Sequence, residues 1–223
     1  EAAHASDMNV LLYYVANHVH EQHPIYQQNP DWATNLYLPD GSLNTERWDD
    51  HRLTTWFDTF MPTLDLSKME TVDPMTDSAV FWLKTYGIDG FRHDATKHIP
   101  EIFWRVLTKK VKDLNAISSA QPVFQIGETY GSHELIKSYI STGMLDAQFD
   151  FNMYDRAVSA FAGAGSLNDL ANSLSESIKY YGDHNLMGYI TGNQDRPRFI
   201  SYADGSLEFG EDTKYAGWNR EIS

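Results

Sequence analysis

The chain has 223 residues, of which 42% are apolar and 13% aromatic, and this is enough to build one large domain or two small ones around a core. Its 31 acidic residues outnumber its 17 basic residues, and the formal net charge of −14 argues against nucleic-acid and membrane-surface partners because no basic patch is visible. The absence of cysteine excludes disulfides and thiolate metal sites, and no apolar run approaches the roughly 20 residues of a membrane span. The compartment stays open.

The predicted secondary structure begins with a strand that is followed by a long insert. Residues 10–16, VLLYYVA, form a continuous apolar run that is typical of a strand buried on both faces. The stretch from residue 19 to about residue 70 is polar and aromatic with little periodicity, and it contains three of the six tryptophans. We interpret this stretch as an insert, either an elaborate loop or a small subdomain.

Helices and strands alternate in the rest of the chain. Apolar spacing and flanking glycine or proline predict helices at residues 77–86, 100–114, 132–141 and 167–181, the last as one helix or a broken one. Strands are predicted at residues 88–94, 123–128, 144–151 and 186–191. This alternation indicates an α/β fold with a parallel sheet of five strands. A doubly wound sheet could stop at five, whereas a complete βα barrel needs eight strands and about 250 residues.

Polar side chains follow four of the predicted strands at the point where each strand ends. They are Asn17 and His18, Arg92 and Asp94, Glu128, and Asn193 and Asp195. Ligands of parallel α/β sheets bind at the carboxyl ends of the strands. These residues are therefore candidates for one binding or catalytic site.

The alternation of side chains along the strand at residues 88–94 suggests a role for its acid. Arg92 and Asp94 share one face of this strand, so Arg92 is expected to lower the pKa of Asp94, which suits a nucleophile.

Glu128 has no basic neighbour in sequence, and burial near Asp94 would raise the pKa of Glu128 and let it act as an acid. Two carboxyls with opposed shifts, about 5 to 5.5 Å apart, are what retaining glycoside hydrolysis requires. Asp195 could then stabilise positive charge in the transition state. Alternatively, Asp94 caps the following helix or is a solvated loop residue.

Five segments resemble the signature regions of one enzyme family, in order and in context. They are VANH at 15–18, MPTLD at 61–65, GFRHDATKH at 90–98, IGET at 126–129 and GNQD at 192–195. These five segments identify the chain as similar to the α-amylase family of glycoside hydrolases. The resemblance implies a TIM (β/α)₈ barrel with a subdomain inserted after strand 3. Residues 1–223 would form a partial barrel, approximately strands 3 to 7, within a longer protein.

The resemblance also implies an activity and roles for single residues. The expected reaction is retaining hydrolysis of α-1,4-glucosidic bonds in starch, maltodextrin or a related α-glucan. Asp94 would be the nucleophile, Glu128 the general acid/base and Asp195 the transition-state stabiliser. The remaining substrate contacts implied by the resemblance are His18, Arg92, Lys97, His98 and Gln194.

Three residues depart from the family pattern. Tyr13 stands where the first region usually has Asp, and Gln194 stands where the fourth region usually has His. Thr63 occupies a position where calcium-binding members carry Asp, which leaves Asn17 as the only obvious side-chain ligand. Calcium needs six to eight oxygen ligands, preferably with carboxylates. We therefore predict no metal ligand set and no cofactor, with calcium disfavoured.

Three alternative functions stay open beside this one. The same chemistry could pass the glycosyl unit to a second sugar, which would make the protein an α-glucan transglycosylase. His18, His20 and His23 have the HxHxxH spacing of a zinc hydrolase, although Gln22 stands where that motif has Asp. A non-catalytic carbohydrate-binding fragment is the third alternative.

Overall fold

The computed structural model describes residues 1–118 and 122–208. Its contacts divide the chain into two compact units. The first unit comprises Glu1–Thr129 and Ser138–Gln148, and the second comprises Tyr130–Lys137 and Phe149–Ser223, the latter described as far as residue 208. Within the described residues, none of the helices combines the length and the apolarity that a membrane crossing requires.

The first unit contains a parallel sheet of four strands. In chain order and in spatial order they are β1 (Leu11–Tyr14), β2 (Gly90–His93), β3 (Phe124–Gly127) and β4 (Ala147–Gln148). Each strand pairs in parallel with the next. Parallel neighbours need a crossover connection, and helices supply most of these here. The predicted α/β fold with a parallel sheet is therefore confirmed.

Seven α-helices lie among the described residues. They are α1 (Pro24–Gln28), α2 (Met69–Tyr86), α3 (Glu101–Ser118), α4 (His133–Ser138), α5 (Phe151–Ala162), α6 (Leu167–Tyr181) and α7 (Phe199–Ala203). Helix α2 begins eight residues before its predicted start and contains Pro74 in its second turn. Helix α6 has the predicted bounds and is continuous.

Two of the five predicted strands need correction. The strand predicted at residues 144–151 is reduced to β4, because Asp150 caps helix α5 by accepting a hydrogen bond from the backbone N–H of Met153 at 3.1 Å. Helix α5 itself was not predicted. The strand predicted at residues 186–191 is wrong, since only one parallel bridge, between Phe149 and Gly188, forms there within the second unit.

The extent of the barrel, strands 3 to 7, stays a prediction. The bounds of the insert at residues 19–70 also stay a prediction.

One face of strand β2 is buried against aromatic side chains. Phe91 and His93 are fully buried and stack with their ring centroids 5.2 Å apart. The His93 ring also contacts Trp104 of helix α3 edge-on at 4.8 Å. Its Nε2–H donates a hydrogen bond to Gln125 Oε1 of the neighbouring strand at 3.1 Å. This packing leaves the opposite face of β2, which carries Arg92, for the site.

The buried histidines predict a loss of stability in mild acid. Burial lowers the pKa of His93 to about 4, and burial also lowers that of His98 to about 4. Since an unfolded histidine titrates near 6.5, the unfolded state binds more protons between about pH 6.5 and pH 4. The stabilising contribution of each neutral ring is complete above pH 6.5 and is lost as the pH falls through this window. We expect the titration of His93 alone to lower the free energy of unfolding by roughly 3 kcal/mol over this pH window.

Chemical denaturation between pH 7 and pH 4 measures this effect. The variant His93→Phe keeps an aromatic ring in the stack and should show a shallower pH dependence of the unfolding free energy than the wild type. The control is His20→Phe, because His20 is exposed. A slope in His93→Phe equal to that of the wild type would contradict the prediction.

Candidate active site

Strand β2 places Arg92 and Asp94 at one end of the sheet. The backbone N–H of Asp94 donates to the carbonyl of Tyr14 at 3.0 Å, so pairing with β1 continues one residue past the end of β2. Ala95 then adopts a left-handed conformation with φ of 50°, and the chain turns away from the sheet. Asp94 is therefore held by backbone pairing at the point where the strand ends.

One guanidinium joins the two carboxyls that were predicted to act as a pair. Arg92 Nη1 lies 2.6 Å from Asp94 Oδ1, and Arg92 Nη2 lies 2.7 Å from Glu128 Oε2. All three side chains are largely buried, with exposed fractions of 13% to 14%. The backbone N–H of Glu128 donates to the carbonyl of His93 at 2.9 Å, which extends the pairing of β2 and β3. The sequence shows no base beside Glu128, but strand pairing brings Arg92 to it.

Asp94 is electrostatically suited to remain a carboxylate. Burial by itself raises its pKa, but hydrogen bonds donated by Tyr13 and Arg92 and the charge of Arg92 outweigh burial and lower the pKa below its ordinary value. Glu128 also interacts directly with Asp94 and contributes to this lowering. The predicted direction of the Asp94 shift, and Arg92 as one cause of it, are confirmed. The donation by Tyr13 was not predicted.

Gly127, the residue before Glu128, is tightly enclosed. A Cβ atom at this position would lie 2.5 Å from Gln148 Nε2 and 2.6 Å from both Leu145 Cδ1 and Thr96 Oγ1. These three neighbours are fully buried, so a shift of any of them would disturb the packing around it. Glycine at this position avoids that shift next to Glu128.

His18 lies on the connection that follows β1. Its ring stacks on Phe57 of the predicted insert, with centroids 4.1 Å apart. Burial lowers the pKa of His18, and the nearby charge of Asp94 partly opposes this. His18 is thus a neutral, partly buried ring within the electrostatic range of the predicted nucleophile.

Lys97 and His98 contact the predicted insert. Both belong to a 3₁₀ turn, Thr96–His98, and both are buried. Lys97 Nζ forms an ion pair with Asp49 at 3.1 Å, and His98 Nδ1–H donates to the Arg52 carbonyl at 2.7 Å. Arg52 Nη1 in turn donates to the Lys97 carbonyl at 2.5 Å. The part that Arg52 takes in these contacts was not predicted, because no sequence motif contains this residue. Substrate contact by Lys97 and His98 stays a prediction.

Gln194 and Asp195 lie in the second compact unit. Gln194 Nε2 donates to Asp195 Oδ2 at 2.8 Å, and the backbone N–H of Asp195 donates to Asn193 Oδ1 at 2.9 Å. Both residues are exposed. The assignment of Asp195 as the third acid and of Gln194 as a substrate contact stays a prediction.

The model of the α-amylase catalytic domain matches residues 1–216 of the chain. The chain belongs to the α-amylase family. Membership in this family of glycoside hydrolases, predicted from the five segments, is thereby confirmed.

Relatives of known name or structure agree with this assignment. α-Amylase 2 of Dictyoglomus thermophilum is 24% identical over 200 residues, which cover 86% of this chain and 33% of that protein. The crystal structure of an Anoxybacillus α-amylase superposes with a TM-score of 0.77 at 27% identity, over 91% of this chain and 43% of that one. The α-amylase of Geobacillus thermoleovorans, solved with acarbose, gives a TM-score of 0.76 at 28% identity, over 92% of this chain and 44% of that one. The chain thus spans between a third and a half of the length of these α-amylases.

The side chains that the resemblance places at the calcium position, Asn17 and Thr63, are both neutral, and the disfavoured calcium site stays a prediction. Asn17 Oδ1 is buried and has no hydrogen-bond partner in the described part of the chain. Thr63, its neighbour, already donates its hydroxyl to the Thr55 carbonyl at 2.7 Å. Both side chains are neutral, and residues 1–118 and 122–208 contain no cluster of three histidines or acids that could hold a metal. Calcium prefers carboxylates, so this donor set is a poor match for it.

The three histidines with zinc-site spacing have separate partners. His18 stacks on Phe57, as described above. His20 Nδ1 accepts a hydrogen bond from the backbone N–H of Gln22 at 3.1 Å, and His23 Nδ1 accepts from that of Ile25 at 3.2 Å and caps helix α1. These contacts occupy one ring nitrogen each of His20 and His23. They favour loop and cap roles over zinc ligation.

Proposed function

We propose that the protein containing this chain is a retaining α-glucan hydrolase that cleaves α-1,4-glucosidic bonds in starch, maltodextrin or related α-glucans. The observation that carries the proposal is the shared contact of Asp94 and Glu128 with the Arg92 guanidinium, at 2.6 and 2.7 Å. Retaining glycosidases need two carboxyls close enough to act on the same anomeric carbon. Membership in the α-amylase family, of which the chain represents a part of the catalytic domain, supports the same reaction.

In the first step Asp94 attacks the anomeric carbon and forms a covalent bond to it. The glycosidic bond breaks at the same time, and its electron pair goes to the leaving oxygen, which takes a proton from Glu128. A lowered pKa keeps Asp94 ionised for this attack. We assign the proton at the start of the step to Glu128 because the step needs one acid, and Asp94 is the carboxyl held in its charged form.

In the second step water replaces the enzyme on the anomeric carbon. Glu128, now ionised, removes a proton from the water while the water oxygen attacks, and the bond to Asp94 breaks so that its carboxylate is restored. Two inversions at one carbon retain the α configuration. We assign Asp195 to stabilise the oxocarbenium-like charge in both steps.

The remaining proposed contacts bind and orient the sugar. We assign His18 to the sugar whose bond is cleaved, because its neutral ring lies close to Asp94. We assign Lys97 and His98 to the leaving-group side and Gln194 to a sugar hydroxyl through its amide.

Product analysis with the full-length protein tests the proposal. Maltoheptaose, pullulan and a cyclodextrin are each incubated with the enzyme, and the first products are followed by chromatography and by NMR that resolves the anomers. We expect shorter maltodextrins that appear first as the α anomer. A first product in the β configuration would contradict the retaining mechanism, and products longer than the substrate would identify a transglycosylase instead. Absence of turnover on all three glucans would contradict the substrate class.

A further inference from the structure

Tyr13, which replaces the usual acid of the first signature region, lies against the proposed nucleophile. It stands on β1 directly opposite Arg92 in the strand register. Its hydroxyl donates a hydrogen bond to Asp94 Oδ1. The same oxygen receives Arg92 Nη1 at 2.6 Å, so two donors from neighbouring strands converge on one oxygen of the carboxylate.

The ring of Tyr13 makes a second contact at the site. The guanidinium carbon of Arg92 lies 4.1 Å from the ring centroid, which is within the range of a cation–π interaction. Partial burial and the hydrogen bond to Asp94 raise the pKa of the Tyr13 phenol, so the hydroxyl keeps its proton at neutral pH. Tyr13 is therefore a permanent, uncharged donor that touches both the carboxylate and the cation that holds it.

We propose that Tyr13 is a positioning residue for the nucleophile: it fixes Asp94 through Oδ1 and directs Oδ2 toward the anomeric carbon. This inference rests on the proposed function. In the reaction Oδ2 forms the bond to the anomeric carbon, the glycosidic carbon–oxygen bond breaks, and the leaving oxygen takes the electron pair and the Glu128 proton. Tyr13 transfers no proton, and its hydrogen bond holds the carboxylate orientation from which attack occurs.

The pH dependence of this arrangement follows from the groups that face Asp94. They are Arg92 from its own strand, Glu128 after β3, Tyr13 from β1 and His18 from the connection after β1. Each donor to Asp94 favours the ionised carboxylate. Removing the Tyr13 hydroxyl therefore makes Asp94 easier to protonate, and the acidic limb of activity should move to higher pH.

The test compares two single-oxygen deletions in the full-length enzyme. Tyr13→Phe keeps the ring over Arg92 and removes only the donor to Asp94. Tyr14→Phe removes the hydroxyl of the adjacent tyrosine, which is buried and donates to the Met75 carbonyl at 2.6 Å, away from the carboxylates. Both variants are assayed for kcat and KM on maltoheptaose across the pH range, and for unfolding by denaturant.

We expect Tyr13→Phe to lose roughly tenfold in kcat with KM nearly unchanged, as for the loss of one hydrogen bond to a charged group. Its acidic limb should rise by about one pH unit. Tyr14→Phe should keep the wild-type kcat and the wild-type acidic limb.

Two results would overturn the inference. One is a Tyr13→Phe enzyme with the wild-type kcat and acidic limb. The other is an equal change in both tyrosine variants, which would indicate a general effect on folding. The variant Asp94→Asn separates this inference from the proposed function. If Asp94→Asn is inactive while Tyr13→Phe behaves as wild type, only the positioning role fails. If Asp94→Asn retains activity, the proposed function itself is wrong.

Discussion

Replacing Asp94 by asparagine should abolish turnover while leaving α-glucan binding in place. Asparagine has the same size and can still accept the hydrogen bonds of Arg92 and Tyr13 at its amide oxygen, so the site keeps its shape. It cannot form the covalent intermediate, because a neutral amide is a poor nucleophile. We expect kcat to fall on the order of 10⁴-fold or more, comparable with the removal of other nucleophiles. Steady-state assays on maltoheptaose and calorimetric titration with the same sugar measure the two quantities.

The matched control for this change is Asp113→Asn. Asp113 lies on helix α3, is exposed and pairs with Lys109 one turn away, so its charge can be removed without touching the site. The Asp113→Asn enzyme should retain full activity. An Asp94→Asn enzyme with more than about 1% of wild-type kcat would show that the nucleophile is misassigned, because loss of a nucleophile costs far more than a factor of one hundred.

Replacing Glu128 by glutamine should harm substrates in proportion to the difficulty of their leaving groups. Glutamine can occupy the same volume but cannot donate a proton to the leaving oxygen. Maltoheptaose, whose leaving group is a sugar hydroxyl, should lose roughly 10²- to 10⁴-fold in kcat/KM, which is the usual contribution of general acid catalysis. An aryl α-glucoside with an acidic phenol needs little protonation and should lose less than about tenfold. kcat/KM is the appropriate quantity because it reports the first chemical step.

The control for Glu128→Gln is Glu101→Gln on the surface of helix α3, where Glu101 pairs with Arg105 one turn away. It should have no effect on either substrate. Equal losses of Glu128→Gln on maltoheptaose and on the aryl glucoside would contradict the acid/base role. They would instead indicate that Glu128 acts by fixing Arg92.

Local periodicity correctly predicted the part of the site that lies on one strand. Alternation along β2 placed Arg92 beside Asp94, because a strand has a fixed period of two. The parallel sheet followed from alternating strands and helices. The family resemblance added the proposed substrate contacts, which the spacing argument did not assign.

Contacts between strands could not be predicted in the same way. The Arg92 contact with Glu128 depends on the register of β2 and β3, in which Arg92 pairs with Ile126, and no single-strand pattern contains that register. The Tyr13 bond to Asp94 has the same origin in the pairing of β1 with β2. The strand at residues 144–151 was predicted too long, and helix α5 was not predicted, for the same reason. Asp150 caps helix α5, so the apolar run changes from strand to helix at this residue.

The enclosure of Gly127 has a consequence for the proposed acid/base residue that follows it. A Cβ atom at residue 127 would lie 2.5 to 2.6 Å from three buried side chains, which would have to shift to admit it. Any larger residue at this position would therefore disturb the surroundings of Glu128, although residue 127 itself has no side chain to contribute to the site.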